Sequence, residues 1–331
     1  MVLSKWKLIL LLMAVGLGSG VFWAYQQYYQ TLNTKLTFNQ PTLYELKRGQ
    51  NLHHLLVYLE DEAGLPESWP VKLLVRFEPT LAELKAGTYE LSPGMNVQQV
   101  LLLLASGKEK LFEIRLVEGF RWRDWQGQMQ AHPHLLSAQL TELEAQLKPE
   151  GGSLEGWLMP DTYHFTRGMQ ASVLVKRAYL EMQKFLLEQW PKRKPDLPYA
   201  SPYEALIMAS IVEKETGLAE ERPRIAAVFV NRLRKNMRLQ TDPTVIYGMG
   251  DAFDGDIRRQ DLRTATPYNT YVIKGLPPTP IAMVSRDALM AALHPIDSEE
   301  LYFVSRNDGS HVFSTNLADH NAAVRQYQLK K

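Results

Sequence analysis

Between Leu8 and Tyr25 the chain carries no charged residue. This is about the length a helix needs to cross a bilayer. Lys5 and Lys7 precede the run. Trp6 stands at one end, and Trp23, Tyr25, Tyr28 and Tyr29 at the other, in the pattern of two interfacial aromatic belts. The lysines favour a cytoplasmic N-terminus, which puts the remaining chain outside. A cleaved signal peptide is the rival, with Gly18-Ser19-Gly20 near a cleavage site. The long apolar core and the second aromatic belt favour an uncleaved anchor. A buried globular helix would need neither the lysines nor the aromatic flanks.

The remaining chain is ordinary in composition, and 331 residues allow about two domains. A net charge of +1 gives no broad basic footprint for nucleic acid. The absence of cysteine excludes a thiolate zinc site and fits an exported chain that avoids stray disulfides. The histidines are scattered, and neither His53-His54 nor His132-Pro133-His134 has metal-site spacing with a carboxylate partner. There is no P-loop, G-x-S-x-G, H-E-x-x-H or dinucleotide fingerprint. Neither a metal nor a cofactor is expected.

The patterning predicts an α+β protein with four parts: an anchor at 1–30, a stalk and small α+β module at 31–110, a connecting α+β region at 111–200, and a C-terminal domain at 201–331. Residues 26–40 are polar and read as a helical extension or stalk. A strand, a Gly-containing turn, an Asn and a helix occur at 42–62 and again at 87–107, a weak internal echo. That shape resembles LysM-type modules, which bind amino-sugar polymers, and equally fits a generic small α+β domain. Further strands are predicted at 112–116 and helices at 135–147 and 173–190. Pro149 to Ser153 reads as a break. Met237 to Ile281 reads as one loop-rich stretch. Residues 301–305 and 311–314 flank Arg306-Asn307-Asp308-Gly309, a hairpin signal, before a final helix capped by Thr315 or Asn316.

One apolar helix carries an anomaly. Ala205 to Val212 is nearly all apolar, as a buried helix would be, and it ends in Glu213-Lys214-Glu215-Thr216-Gly217. A carboxylate that enters such a helix loses water and its pKa rises, so that it can serve as a general acid near neutral pH. Residues two apart differ by roughly 200° around a helix. With Val212 at the centre of the inward stripe, Glu215 falls within about 60° of it and Glu213 about 100° away, toward the edge. Glu215 is therefore the better candidate. The plainer reading is a pair of solvated charges in a last turn closed by Gly217.

Three loop segments are dense in the amides, hydroxyls and aromatic faces that bind sugars. They are Gln240 to Tyr247, Thr266 to Ile281 and Glu155 to Tyr163. Each has a structural alternative. Asp242-Pro243 can be an N-cap followed by proline at the first helical position, and the proline-rich run can be a rigid loop. Together they form a long irregular stretch after a candidate acid, and such stretches are often functional.

The segments SIVEKETG, RLQTDPTVIYGMG, TPYNTY, GLPPTPIAM, LYFV and HVFSTNLADHN resemble, in order, the endolytic murein transglycosylase (YceG-like) family. AGTYELSPGM, EGWLMPDTY and the single anchor extend the resemblance over nearly the whole chain. A departure is the Leu158-Met159 step, where an aromatic residue is more usual, a conservative packing change. The resemblance implies a LysM-like domain and then a catalytic domain with a loop-rich cleft that cleaves peptidoglycan glycan strands beside the membrane. It implies a bacterial single-pass protein of the cytoplasmic membrane that acts near glycan-polymerising synthases and ends strand growth. Its catalytic glutamate corresponds to Glu215. On this reading Glu215 protonates the oxygen of the β-1,4 bond between N-acetylmuramic acid and N-acetylglucosamine. It then receives the proton of the muramoyl C6 hydroxyl as a 1,6-anhydro ring closes. Gln240, Asp242, Tyr247, Tyr268, Asn269 and Tyr271 are assigned to substrate positioning, with Glu155 and Tyr163 lining the same cleft. A water-adding muramidase, with Asp242 as the second carboxylate, and a non-enzymatic peptidoglycan-binding scaffold are the alternatives.

Overall fold

The computed structural model describes residues 5–138, 140–147 and 149–329. The chain is a mixed α+β protein that packs as two compact units, Met1–Phe112 with Phe165–Arg167, and Glu113–His164 with Gly168–Lys331.

The first unit begins with α1 (Lys5–Asn33). The stretch Trp6–Asn33 is long and apolar enough to cross a membrane, by length and composition. Its large side chains from Leu8 to Tyr29 are mostly exposed, as lipid-facing residues would be. Residues 1–4, the tip expected in the cytoplasm, lie outside the described residues. The helix continues through the polar segment, and Leu32, Leu36 and Phe38 join the core of this unit. There β1 (Thr42–Leu46) pairs antiparallel with β2 (Gly87–Leu91), Thr42 opposite Leu91 and Leu46 opposite Gly87. Between the two strands run α2 (Leu52–Glu62) and α3 (Trp69–Phe77), and α4 (Val97–Ser106) follows.

The echo seen in the sequence has a common local cause. Asn51 and Asn96 both leave the extended conformation into a helix, and each side chain accepts from a first-turn backbone N–H, His53 at 3.1 Å and Gln99 at 2.9 Å. Gly107 closes α4 at φ 73°, in the left-handed region that suits glycine. Leu55, Leu56 and Leu59 of α2 pack with Val97, Val100, Leu101 and Leu104 of α4, all of them buried.

β3 (Leu111–Leu116) carries the chain from the first unit into the second, where α5 (Trp122–Ala131) follows, and β3 pairs with β5 (Asp161–Thr166). The single helix expected over 135–147 is instead β4 (Leu135–Leu136) and then α6 (Leu140–Leu147). Pairing decides this: β4 runs parallel to β6 (Met169–Gln170), and that ladder outweighs the helical leucine spacing. Gln139 lies outside the described residues. α7 (Ala171–Gln189) leads to the central helix α8 (Pro202–Glu215).

Ser201 starts α8 by accepting from the N–H of Glu204, and Pro202 takes the first helical position, where its missing N–H costs nothing. Every residue of α8 from Ala205 to Glu213 is buried. It packs against α9 (Arg222–Arg234) and α11 (Arg286–Leu293). Between α9 and α11 the expected loop contains α10 (Asp242–Met249). Thr241 is the N-cap residue, Asp242 opens the helix and Pro243 sits in its first turn, so the helix start expected at Asp242-Pro243 forms with its cap one residue earlier. The chain ends with the antiparallel hairpin β7 (Tyr302–Ser305) and β8 (His311–Ser314), and α12 (Leu317–Tyr327) capped by Asn316.

Candidate active site

Glu215 is the last residue of α8. Thr216 leaves the helix in an extended conformation (φ −147°, ψ 138°), and Gly217 is not in the left-handed region. The glycine cap of the plainer reading is therefore not formed. Glu215 is half-buried and lines a cavity of about 540 Å³. The Thr241 hydroxyl donates to Glu215 Oε1. Burial pushes the Glu215 carboxyl up to about 7; the Thr241 hydrogen bond pulls against this, the charge of Asp242 adds to it, and His311 and Arg232 oppose it. A carboxyl of this kind is protonated in part of the population near neutral pH and can give up that proton.

Two groups of residues complete the cavity. Gln240, Thr241, Asp242 and Tyr271 come from the start of α10 and the loop after it. Thr270 ties these together: its Oγ1 accepts from the N–H of Thr241 at 3.1 Å and its carbonyl from the N–H of Gln240 at 3.2 Å. The Tyr271 phenol donates to Asp242 Oδ1 at 2.6 Å. The second group comes from the C-terminal hairpin and α12, including Tyr302, His311, His320, Asn321 and Gln328. Between them lies Arg232, buried on α9, which donates to the carbonyls of Leu301 and Leu239 at 2.6 Å each and sits over the Tyr302 ring.

Glu215, Gln240, Asp242 and Tyr271 thus share one cavity, and the other residues expected there do not line it. Tyr163 is buried, its hydroxyl held by the Met159 carbonyl at 2.5 Å and its ring under Arg177. Asn269 is 1% exposed; its side-chain NH2 donates to the carbonyls of Asp261 and Thr264 and its Oδ1 accepts from the N–H of Tyr271, so it shapes the loop that presents Tyr271. Glu155, Tyr247 and Tyr268 form a separate cluster. Tyr247 donates to Glu155 at 3.2 Å, the two tyrosine rings lie 4.8 Å apart, and Tyr268 bonds Thr279 at 2.9 Å. Gly156 allows this cluster to close. It sits at φ 76°, and a Cβ there would come within 2.5 Å of Pro280.

Glu213 is not at the edge, where helical phase put it. It is buried, paired with Arg222 at 3.4 Å, and accepts from both the N–H (2.9 Å) and the hydroxyl of Ser285. Because α8 is covered on all sides, an angle from Val212 does not separate inside from outside. Glu213 fastens α8 to the N-cap of α11.

Sequence reading overlooked the second group. A signal for it exists: Leu317, His320, Asn321, Val324 and Gln328 recur at i, i+3, i+4, i+7 and i+11, one face of a helix. Among the described residues no cluster of three or more His, Asp or Glu side chains could hold a metal ion.

Residues 44–326 match the YceG-like family. A Bacillus subtilis (strain 168) protein named endolytic murein transglycosylase is 33% identical over 268 residues, which cover 75% of this chain and 74% of that protein. A protein of the same name from Streptococcus pneumoniae serotype 2 is 27% identical over 86% of this chain, spanning 58% of its own length. The crystal structure of a YceG-like protein from Listeria monocytogenes superposes with a TM-score of 0.57 at 30% identity, covering 86% of this chain and 99% of that one. With a match over most of its length and relatives of this similarity, the chain belongs to the YceG-like family.

Proposed function

We propose that this protein is a membrane-anchored endolytic lytic transglycosylase that cleaves the bond between N-acetylmuramic acid and N-acetylglucosamine in peptidoglycan strands and leaves a 1,6-anhydro end. The observation that carries the reading is Glu215, a carboxyl with pKa about 7 opening onto a cavity rich in amide, hydroxyl and aromatic side chains. The names of the relatives supply the substrate class. Glu215 gives its proton to the leaving oxygen, and its carboxylate is the final acceptor of the C6 hydroxyl proton. The nucleophile belongs to the substrate itself, so proximity replaces an activated water. Gln240, Asp242 and Tyr271 hold the sugars. Tyr247, Tyr268, Asn269 and Glu155 act from behind the cavity by fixing the segments that lead into it, whereas Tyr163 is a packing residue held by the Met159 carbonyl.

The helix Trp6–Asn33 supports an anchor with the bulk of the chain outside the cytoplasm. The order β1, α2, α3, β2 supports a LysM-like reading of the first unit, with residues 31–110 as glycan-holding module and 201–331 as the catalytic part. Anchored there, the enzyme would meet strands as synthases extend them and end their growth. A muramidase remains the second reading, because Asp242 supplies a second carboxylate on the same cavity. Product end groups decide between the two. Purified protein incubated with uncrosslinked strands should release 1,6-anhydro ends by mass spectrometry, and exclusively reducing ends would overturn the transglycosylase.

A further inference from the structure

The wall of the cavity built by the C-terminal hairpin holds a group that the single-glutamate scheme leaves unused. Glu221, just before α9, takes hold of His311 twice. Its Oε1 accepts from the backbone N–H of His311 at 3.0 Å, and its Oε2 meets the ring Nδ1 at 2.6 Å. A carboxylate only accepts, so the ring proton sits on Nδ1 and the free nitrogen of His311 is Nε2. Both side chains are largely enclosed, 11% and 17% exposed. The ring stands edge-on to Phe303 at 5.5 Å and to Phe313 at 6.3 Å, which blocks its rotation. His311 is thus a fixed imidazole with its tautomer set by an acid, and it lines the same cavity as Glu215. That is how a histidine is prepared to accept a proton.

Glu215 has a reason to need help. One of its two oxygens already receives the Thr241 hydroxyl. The other must deliver a proton to the leaving oxygen, so it cannot hold the C6 hydroxyl during the attack. We infer that His311 is a second catalytic residue, which accepts the C6 hydroxyl proton on Nε2 and passes it on to Glu215, with Glu221 as its positioning residue. The inference rests on the transglycosylase reading. The O6–C1 bond forms as the C1–O4 bond breaks. O4 keeps the proton given by Glu215, and the proton from O6 returns through His311 to the Glu215 carboxylate. No proton is gained or lost by the protein. His311 and Glu215 open onto one cavity, so the return path lies within it.

The test uses the full chain in detergent micelles and uncrosslinked glycan strands, with kcat, KM and product end groups measured together. His311→Asn keeps an N–H where Nδ1 was, so the Glu221 clamp and the hairpin survive, and it removes Nε2. It should lower kcat about 100-fold with little change in KM. Reducing ends should appear as water takes over from the poorly activated C6 hydroxyl. Glu221→Gln should lower kcat about tenfold in the same direction, by loosening the ring. An unchanged thermal midpoint in His311→Asn excludes collapse of the wall. Anhydro ends released at the wild-type rate by His311→Asn overturn the inference, as does a shift to reducing ends in Asp242→Asn alone. Wild-type protein that yields only reducing ends overturns the underlying reaction instead.

Discussion

Glu155 and Glu215 are both carboxyls that burial pushes up to about 7, and they lie in different surroundings. Glu215 opens onto a cavity of about 540 Å³. Glu155 is 4% exposed and closed in by the N–H of Trp122 at 3.0 Å and the Tyr247 hydroxyl at 3.2 Å. A shifted pKa makes a proton available; only access lets a substrate take it. On this view Glu215 is the acid, and Glu155 is a rivet that joins the start of α5 to α10.

The largest expected effect falls on the open member. Glu215→Gln should reduce turnover about 1,000-fold with the fold intact, since an amide has no proton to give. Wild-type turnover should also fall as pH rises through about 7, where the acid form is lost. A Gln variant that digests strands at the wild-type rate would move the acid elsewhere.

The next effect concerns the closed member and its pH dependence. Glu155 is raised from 4.5 to about 7, so between those values the folded chain holds a proton that the unfolded chain has released. Its stabilising contribution is therefore complete below about 4.5 and is lost as pH rises through about 7. The loss is on the order of 3 kcal/mol. Glu155→Gln mimics the protonated form, so denaturation midpoints measured across this range should decline less steeply while turnover at pH 6 persists. If that variant is folded and inactive, the rivet reading fails.

The smallest effect is Tyr247→Phe, which removes one hydrogen bond to Glu155 and should cost about 1 kcal/mol in urea denaturation. It leaves the lining of the Glu215 cavity untouched. Turnover lost in proportion to Glu215→Gln would instead join the two regions into one site.

The sequence made β1, β2, β3, β7 and β8, most helix starts and the candidacy of Glu215 legible, because these depend on local spacing and capping; β4, β5 and β6, set by pairing, were not legible. Asn51, Asn96 and Ser201 each announce a helix by a side chain that can accept from its first turn. What it could not yield is which polar residues point at substrate and which at the backbone. Asn269 and Tyr163 have sugar-binding chemistry, and the fold uses both on carbonyls. Glu213 was misjudged because helical phase presumes a solvent side, which α8 lacks. His311 and Glu221 are ninety residues apart, and only the docking of the hairpin on the start of α9 reveals the pair.

The position of Glu215 at the end of α8 has an electrical consequence. Aligned peptide dipoles leave about half a negative charge at a helix C-terminus, which repels a carboxylate and favours the neutral acid. A helix of this length, about 21 Å from Pro202 onward, presents that end to the cavity as a fixed field. Burial remains the main cause of the raised pKa, and the rod adds to it in the same direction. The same helix that gives the acid its fixed backbone also holds its proton in readiness.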